Sequence, residues 1–302
     1  MPLIRYVEQR FAKKVMAKIE QANAIIAEYD RQGFSLTLRQ LYYQFVARGF
    51  LPNKQIEYKR LGHAINAGRL AGLIDWYAIE DRTRNLQGVT TWDSAAGVID
   101  SAAASFRMDK WEDQPVRPEV WIEKEALVGV IEPTCVDLQI DFFACRGYTS
   151  QSEQWRAARR FADRRDAGQE TVILHFGDHD PSGIDMTRDN DDRLALFLKG
   201  EGVEVRRLAL NMNQVRKHKP PPNPAKFTDS RINAYVRKFG KQSWELDALD
   251  PPVIAKLIRD AVDEVRDMKR WRKAVKAEKE QAAALSTLTN NWSDVSDYLK
   301  TL

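Results

Sequence analysis

The chain has 302 residues, 43% of them hydrophobic and 30% charged, so it can bury a sizeable core and divide into more than one domain. Its net charge of +4 makes no bulk case for a nucleic-acid partner; no apolar run approaches a membrane span, and the start Met1-Pro2-Leu3-Ile4-Arg5 lacks a signal-peptide core, which points to a cytoplasmic protein. Two cysteines, Cys135 and Cys145, and four scattered histidines, His63, His175, His179 and His218, have no metal-site spacing and exclude a zinc centre or a disulfide scaffold.

In chain order, Val7, Phe11, Val15, Ile19 and Ala22 recur at helical spacing and predict a helix over 3–31 that stops at Gly33. A short helix follows from a Ser35 or Thr37 cap to Gly49, then a turn at Leu51-Pro52-Asn53, a helix over 54–71 and a strand over 74–80. Helix, turn, helix and strand in that order describe a winged helix. Its recognition helix buries Tyr58, Leu61 and Ile65 and presents Lys59, Arg60, His63 and Arg69, with Arg82 and Arg84 reaching phosphate from the wing. The alternative is a helical packing unit that does not touch DNA.

Residues 94–110 predict an alanine-rich helix, and 111–118, with two prolines and no periodicity, a linker. From 119 onward strands and helices alternate: strands 119–123, 140–145, 170–177 and 203–210, helices 124–138, 152–166 and 183–199. Such alternation predicts a mostly parallel sheet with helices on both faces. A proline-stiffened loop over 220–224, a helix over 229–239 and a long charged helix over 252–288 complete the chain. The fold class is therefore α/β in three parts: an N-terminal helical winged-helix domain over 1–112, a sheet domain over 113–250 and a helical C-terminal extension over 251–302. Basic clusters at Lys54-Lys59-Arg60, Arg206-Arg207, Arg216–Lys219 and Lys269–Lys273 contrast with acids gathered in the sheet domain, a distribution that suits a DNA backbone guided toward a metal.

The chemistry concentrates in Phe176-Gly177-Asp178-His179-Asp180-Pro181-Ser182-Gly183, after the apolar run 171–175. A strand ending in Asp-x-Asp puts two carboxylates at the carboxyl edge of a sheet, where open α/β sheets bind ligands. Adjacent acids repel unless a cation lies between them, and hard oxygen ligands suit Mg2+. Glu123 ends an earlier strand that a parallel sheet can set beside Asp178. Glu123, Asp178 and Asp180 are thus candidate metal ligands; the alternative makes the aspartates turn and cap residues. Glu245 and Asp247 form another acidic pair, able to assist a second metal or cap a helix. In the helix of Leu38, Leu41, Tyr42 and Phe45, Tyr42 falls on the apolar face and Tyr43 on another with Arg39, whose guanidinium favours a phenolate. Tyr43 is the candidate nucleophile; the alternative is that both tyrosines only pack.

These motifs carry a resemblance. One Glu after a first strand and Asp-x-Asp after a later one is the pattern of the Toprim domain. Glu123-Lys124-Glu125-Ala126-Leu127, then Cys145-Arg146-Gly147-Tyr148, then Gly177–Gly183, together with Leu38-Arg39-Gln40-Leu41-Tyr42-Tyr43, resemble the A subunit of topoisomerase VI and its meiotic double-strand-break relatives over roughly residues 35–250. Gln40 stands where that family carries an acid. The resemblance implies a Toprim sheet domain, Glu123, Asp178 and Asp180 as Mg2+ ligands, and attack on double-stranded DNA by Tyr43 to give a 5′-phosphotyrosyl bond. It also implies a homodimer in which the tyrosine of one subunit meets the metal site of the other, and it allows a separate ATPase subunit. Lys124 and Arg146 are then further phosphate contacts. The expected activity is Mg2+-dependent DNA cleavage by tyrosine transesterification. A hydrolytic nuclease without a covalent intermediate, and an inactive DNA-binding protein, remain the alternatives.

Overall fold

The structure, a computed structural model, describes residues 3–79, 89–200, 203–225 and 229–301. Its N-terminal unit packs α1 (Lys13–Asp30), α2 (Leu38–Ala47) and α3 (Gln55–Leu70) around Ile19, Ile25, Leu41, Phe45, Leu61 and Ile65. The first helix begins ten residues later than periodicity suggests. The preceding segment is extended, bridges Arg5 to Ala71, and donates the Tyr6 amide to the Leu70 carbonyl at 2.8 Å. Thr37 and Gln40 form a reciprocal capping box at the start of α2, with amide contacts of 3.3 and 2.8 Å. The strand expected over 74–80 is reduced, within the described residues, to one bridge between Leu36 and Ile79. Asp75 explains this, since its carboxylate accepts the Tyr77 amide at 2.8 Å and turns the chain. Arg82 and Arg84 lie outside the described residues.

Beyond α4 (Ala95–Ser105) lies a mixed α/β unit built on β1 (Val116–Ile122), β2 (Asp141–Ala144), β3 (Glu170–Phe176) and β4 (Glu204–Ala209). The strands form one parallel sheet in the order β2-β1-β3-β4. Side chains alternate across it. Val120, Ile122, Val172, Leu174 and Phe176 face α5 (Val128–Leu138), whereas Trp121 and Ile173 face α6 (Gln151–Asp166) and α7 (Pro181–Phe197). The stretch read as a linker belongs to this core: Trp111 is fully buried, donates its indole N–H to the Leu138 carbonyl at 2.9 Å, and leads directly into β1.

After β4 come α8 (Met212–His218), the two-residue strands β5 (Asn223–Pro224) and β6 (Gln242–Ser243), and α9 (Ile232–Phe239) between them. The expected long C-terminal helix is broken. α10 (Pro251–Val265) buries Ile254, Ile258 and Val262 in the same cluster as Val120, so it is part of the sheet layer. Asp267 then caps a new helix, α11 (Met268–Asn290), accepting the Lys269 and Arg270 amides at 2.8 and 3.1 Å. α12 (Trp292–Leu299) ends the chain.

The strand order fixes where a ligand can enter. From β1 the chain crosses through α5 on one face to β2. It returns through α6 on the other face to β3, on the far side of β1. The crevice at the carboxyl ends of β1 and β3 is therefore a topological switch point, the preferred ligand position in open α/β sheets.

Candidate active site

Glu123 follows β1 and Asp178 follows β3 at that crevice. The Glu123 amide donates to the Phe176 carbonyl at 2.8 Å, and its carboxylate accepts the Asp178 amide at 2.8 Å. Asp178 accepts from the Leu246 amide at 2.8 Å and from the Lys124 ammonium at 2.9 Å. Burial raises the pKa of both Glu123 and Asp178, and for Glu123 the Asp178 charge adds to it. Asp180 is turned toward α7, where one oxygen accepts the Gly183 amide at 2.6 Å and the Ser182 hydroxyl at 2.9 Å. Only glycine fits position 183: a Cβ there would lie 2.3 Å from the Asp178 carbonyl oxygen.

Among the described residues no three His, Cys, Asp or Glu side chains form a ready-made metal cluster. The donor set nevertheless fits Mg2+ in kind. This ion commonly takes one or two carboxylates plus waters and substrate phosphate, and Glu123 and Asp178 are adjoining hard-oxygen groups at the sheet edge. Asp180 flanks that pair as the α7 cap.

Two cations expected to serve DNA phosphate instead hold protein groups of the site. Lys124, expected to contact phosphate, is inserted among Asp178, Glu245 and Asp247 at 2.9, 3.1 and 3.7 Å. Burial works against its charge, but the three carboxylates outweigh burial and raise its pKa. Arg207, grouped with Arg206 in a basic cluster, lies half-buried beneath the Asp-x-Asp turn. It donates to the carbonyls of Gly177, Asp178, Gly183 and Leu210 at 3.1, 2.7, 2.8 and 3.2 Å, and to the Thr187 hydroxyl at 2.9 Å. Nothing in the pair Arg206-Arg207 tells them apart except strand alternation, which sends Arg206 to Glu204 and Glu264 at the surface.

His179, between the two aspartates, is also structural. Its backbone pairs with Trp244 in both directions at 2.8 and 3.0 Å, and its ring meets the Tyr235 hydroxyl at 2.9 Å. This pairing brings the strap of residues 242–250 across the site and with it Glu245 and Asp247. Both acids face Arg39 of α2, at 3.1 and 3.4 Å.

The N-terminal unit is fastened to the strap and to the 222–223 segment by further polar contacts. Gln44 and Tyr29 donate to Asp250 at 2.7 and 2.9 Å, and Asn53 to Asn223 at 2.8 Å. Tyr42 is core as expected, its hydroxyl accepting the Lys54 amide at 2.8 Å. Tyr43, expected to be presented to solvent, is only 3% exposed. It lines a cleft of about 460 Å³ together with Arg39, Asp178, Asp180, Asn223 and Glu245. Burial, then the Glu245 charge, pushes the phenol up to about 12 against the opposing pull of Arg39. Burial and the Glu245 charge thus outweigh the pull of Arg39 on this phenol.

The remaining predicted DNA contacts are dispersed. Lys59 and Arg60 are exposed on α3, Arg60 pairing with Glu57 at 2.6 Å. Arg69 is not presented: it folds back on the Ile79 carbonyl and over the Trp76 ring at 5.9 Å. Arg146 is exposed at the end of β2, in the left-handed region at φ 55°, and pairs with Glu125.

Compared with models of protein families, with curated proteins and with solved structures, the chain matches none.

Proposed function

We propose that the chain is a Mg2+-dependent DNA-cleaving enzyme of the kind formed by a winged helix and a Toprim domain, resembling the topoisomerase VI A subunit. The observation that carries the reading is one cleft lined by both Tyr43 and the Asp178 and Asp180 pair, beside Glu123 at the switch point of a parallel sheet. In this reading Glu123 and Asp178 hold the ion, and Asp180 fixes the turn. Bound there, Mg2+ would neutralise charge developing on the phosphoryl oxygens.

This chain's own residues do the rest. Double-stranded DNA lies over the cleft mouth, with Lys59, Arg60 and Arg146 exposed for its backbone. Tyr43 Oη forms a bond to phosphorus, the bond from phosphorus to the 3′ oxygen breaks, and the phenolic proton ends on that oxygen. Arg39 orients α2 against Glu245 and Asp247, and Lys124 holds the acids together before substrate arrives.

A second reading, hydrolysis by water with Tyr43 as a bystander, is favoured by one observation: the buried phenol with its raised pKa. Denaturing gels after incubation with DNA and Mg2+ separate the two. Protein-linked DNA ends that vanish in Tyr43→Phe support transesterification. Free ends that persist in Tyr43→Phe support hydrolysis. Cleavage retained by Asp178→Ala would overturn both.

A further inference from the structure

We infer that Asp178, Glu245 and Asp247 bound a second divalent-cation position, which the Lys124 ammonium holds until Mg2+ displaces it. The inference rests on reading this sheet edge as a metal site and goes beyond it. It adds Glu245 and Asp247 as ligands and makes Lys124 a resident competitor of the ion.

Three observations carry it. First, the ammonium stands where a cation meets hard oxygens. It lies 2.9 Å from Asp178, 3.1 Å from Glu245 and 3.7 Å from Asp247. Among the described residues these carboxylates are its only polar partners, and carboxylate oxygens are the donors Mg2+ takes from proteins. Arg207 is the contrast: its guanidinium is spent on backbone carbonyls, which no metal ion would exchange for it here.

Second, the lysine leaves the acids short of positive charge. Asp178, Glu245 and Asp247 face Lys124 and Arg39, the latter at 3.1 Å from Glu245 and 3.4 Å from Asp247. Three carboxylates thus share two cations, and Arg39 is half exposed, so water screens its share. A divalent ion in place of the ammonium balances all three.

Third, one oxygen lacks a donor. The Asp247 side chain is 3% exposed, and its Oδ1, the atom facing Lys124, accepts no hydrogen bond among the described residues. A buried acceptor without a donor is costly, and an ion beside it would satisfy it. Asp178 would then serve both this position and the one it forms with Glu123, as a carboxylate between the ions of a two-metal site. The Lys124 side chain is 22% exposed, which gives the ammonium a way out toward the cleft.

The competition sets the size of the effect. If the state with the lysine swung out is a minor one, about 0.1–10% populated, the apparent Mg2+ affinity falls by that fraction. Removing the ammonium should therefore tighten binding at least about tenfold.

Calorimetric titration with Mg2+ tests this on full-length wild type, Lys124→Met, Asp247→Asn and the double variant. The expected result is that Lys124→Met binds Mg2+ at least about tenfold more tightly than wild type, and that Lys124→Met brings no such gain when Asp247→Asn is already present. Equal or weaker binding by Lys124→Met would overturn the inference and leave the metal reading intact. A gain that survives Asp247→Asn would also overturn it, since the ion would then lie with Glu123 and Asp178 alone. Mg2+ binding by none of these chains would overturn the metal reading and the inference with it.

Thermal unfolding followed by circular dichroism covers a Lys124→Met chain that does not hold its fold without the ion. An ion that binds only the folded state raises the melting temperature. Mg2+ should raise that of Lys124→Met more than that of wild type, and a rise no larger than in wild type would overturn the inference.

Discussion

Arg207 offers the sharpest test of how the site is built. Replacing it with Met keeps an unbranched apolar stem and removes the guanidinium with its five hydrogen bonds of 2.7–3.2 Å, four of them to backbone carbonyls around the Asp-x-Asp turn. Those carbonyls lose their donors, which the methionine cannot replace. Glu123, Asp178 and Asp180 also lose the cation whose charge they share. Breaking a buried charged network from one side costs about 3–5 kcal/mol. At about 2–3 °C per kcal/mol for a chain of this size, the melting temperature should fall by about 6–15 °C. The control is Arg206→Met, one residue away. That side chain meets only Glu204 and Glu264 at the surface, both at 2.8 Å, and exposed pairs contribute about 0–1 kcal/mol. Thermal unfolding followed by circular dichroism compares the two variants directly. Equal melting temperatures for Arg207→Met and Arg206→Met would refute the assignment of Arg207 as the support of the turn.

Two further outcomes follow from the same electrostatics. Lys124→Met leaves Glu245 and Asp247 facing only the half-exposed Arg39 and removes the ammonium from Asp178, so urea unfolding at pH 7.5 should show a loss of about 3–5 kcal/mol. The loss should shrink toward pH 5, because unpaired buried carboxyls have raised pKa values and destabilise the fold only while ionised; a loss independent of pH would argue against Lys124 as their counter-ion. His175 is fully buried, its ring on the Thr187 hydroxyl at 2.8 Å, and burial followed by the Arg207 charge lowers its pKa to about 3. The unfolded chain takes up this proton near pH 6.5 and the folded one does not, so stability is full above that pH and should decline by roughly 2 kcal/mol between pH 6.5 and 5. In His175→Phe that part of the slope should disappear, and an unchanged slope would show that the proton is taken up elsewhere.

Much of the parallel sheet was legible because its signals are local. Apolar runs of strand length alternate with helical periods, and β1 to β4 fall within a few residues of their expected bounds. Segments that fold through long-range contacts were not legible. Trp111 to Pro118 has the composition of a linker, yet Trp111 reaches the Leu138 carbonyl and Gln114 the Asp267 carbonyl at 3.0 Å, partners remote in sequence. The break between α10 and α11 had a local signal in Asp267, whose carboxylate caps the next helix, but the charged periodicity on either side masked it.

At the site, sequence spacing led to acids that the fold sets at one sheet edge, but it gave no sign of what neutralises them. Asp178, Asp180 and Glu123 stand out because carboxylates at strand ends are rare and adjacent. A cation at the same edge looks no different from a surface lysine or arginine. Alternation along β4 is the signal that separates Arg207 from Arg206, and it becomes informative only once β4 is known to lie beside β3. For Lys124 the informative fact is the His179–Trp244 pairing, which carries Glu245 and Asp247 over the crevice. The same strap explains Tyr43. Helical phase set it on a different face from Tyr42, yet both rings are buried in one cluster, because phase cannot say what covers a face. Here the strap does, burying the phenol between Arg39 and Glu245.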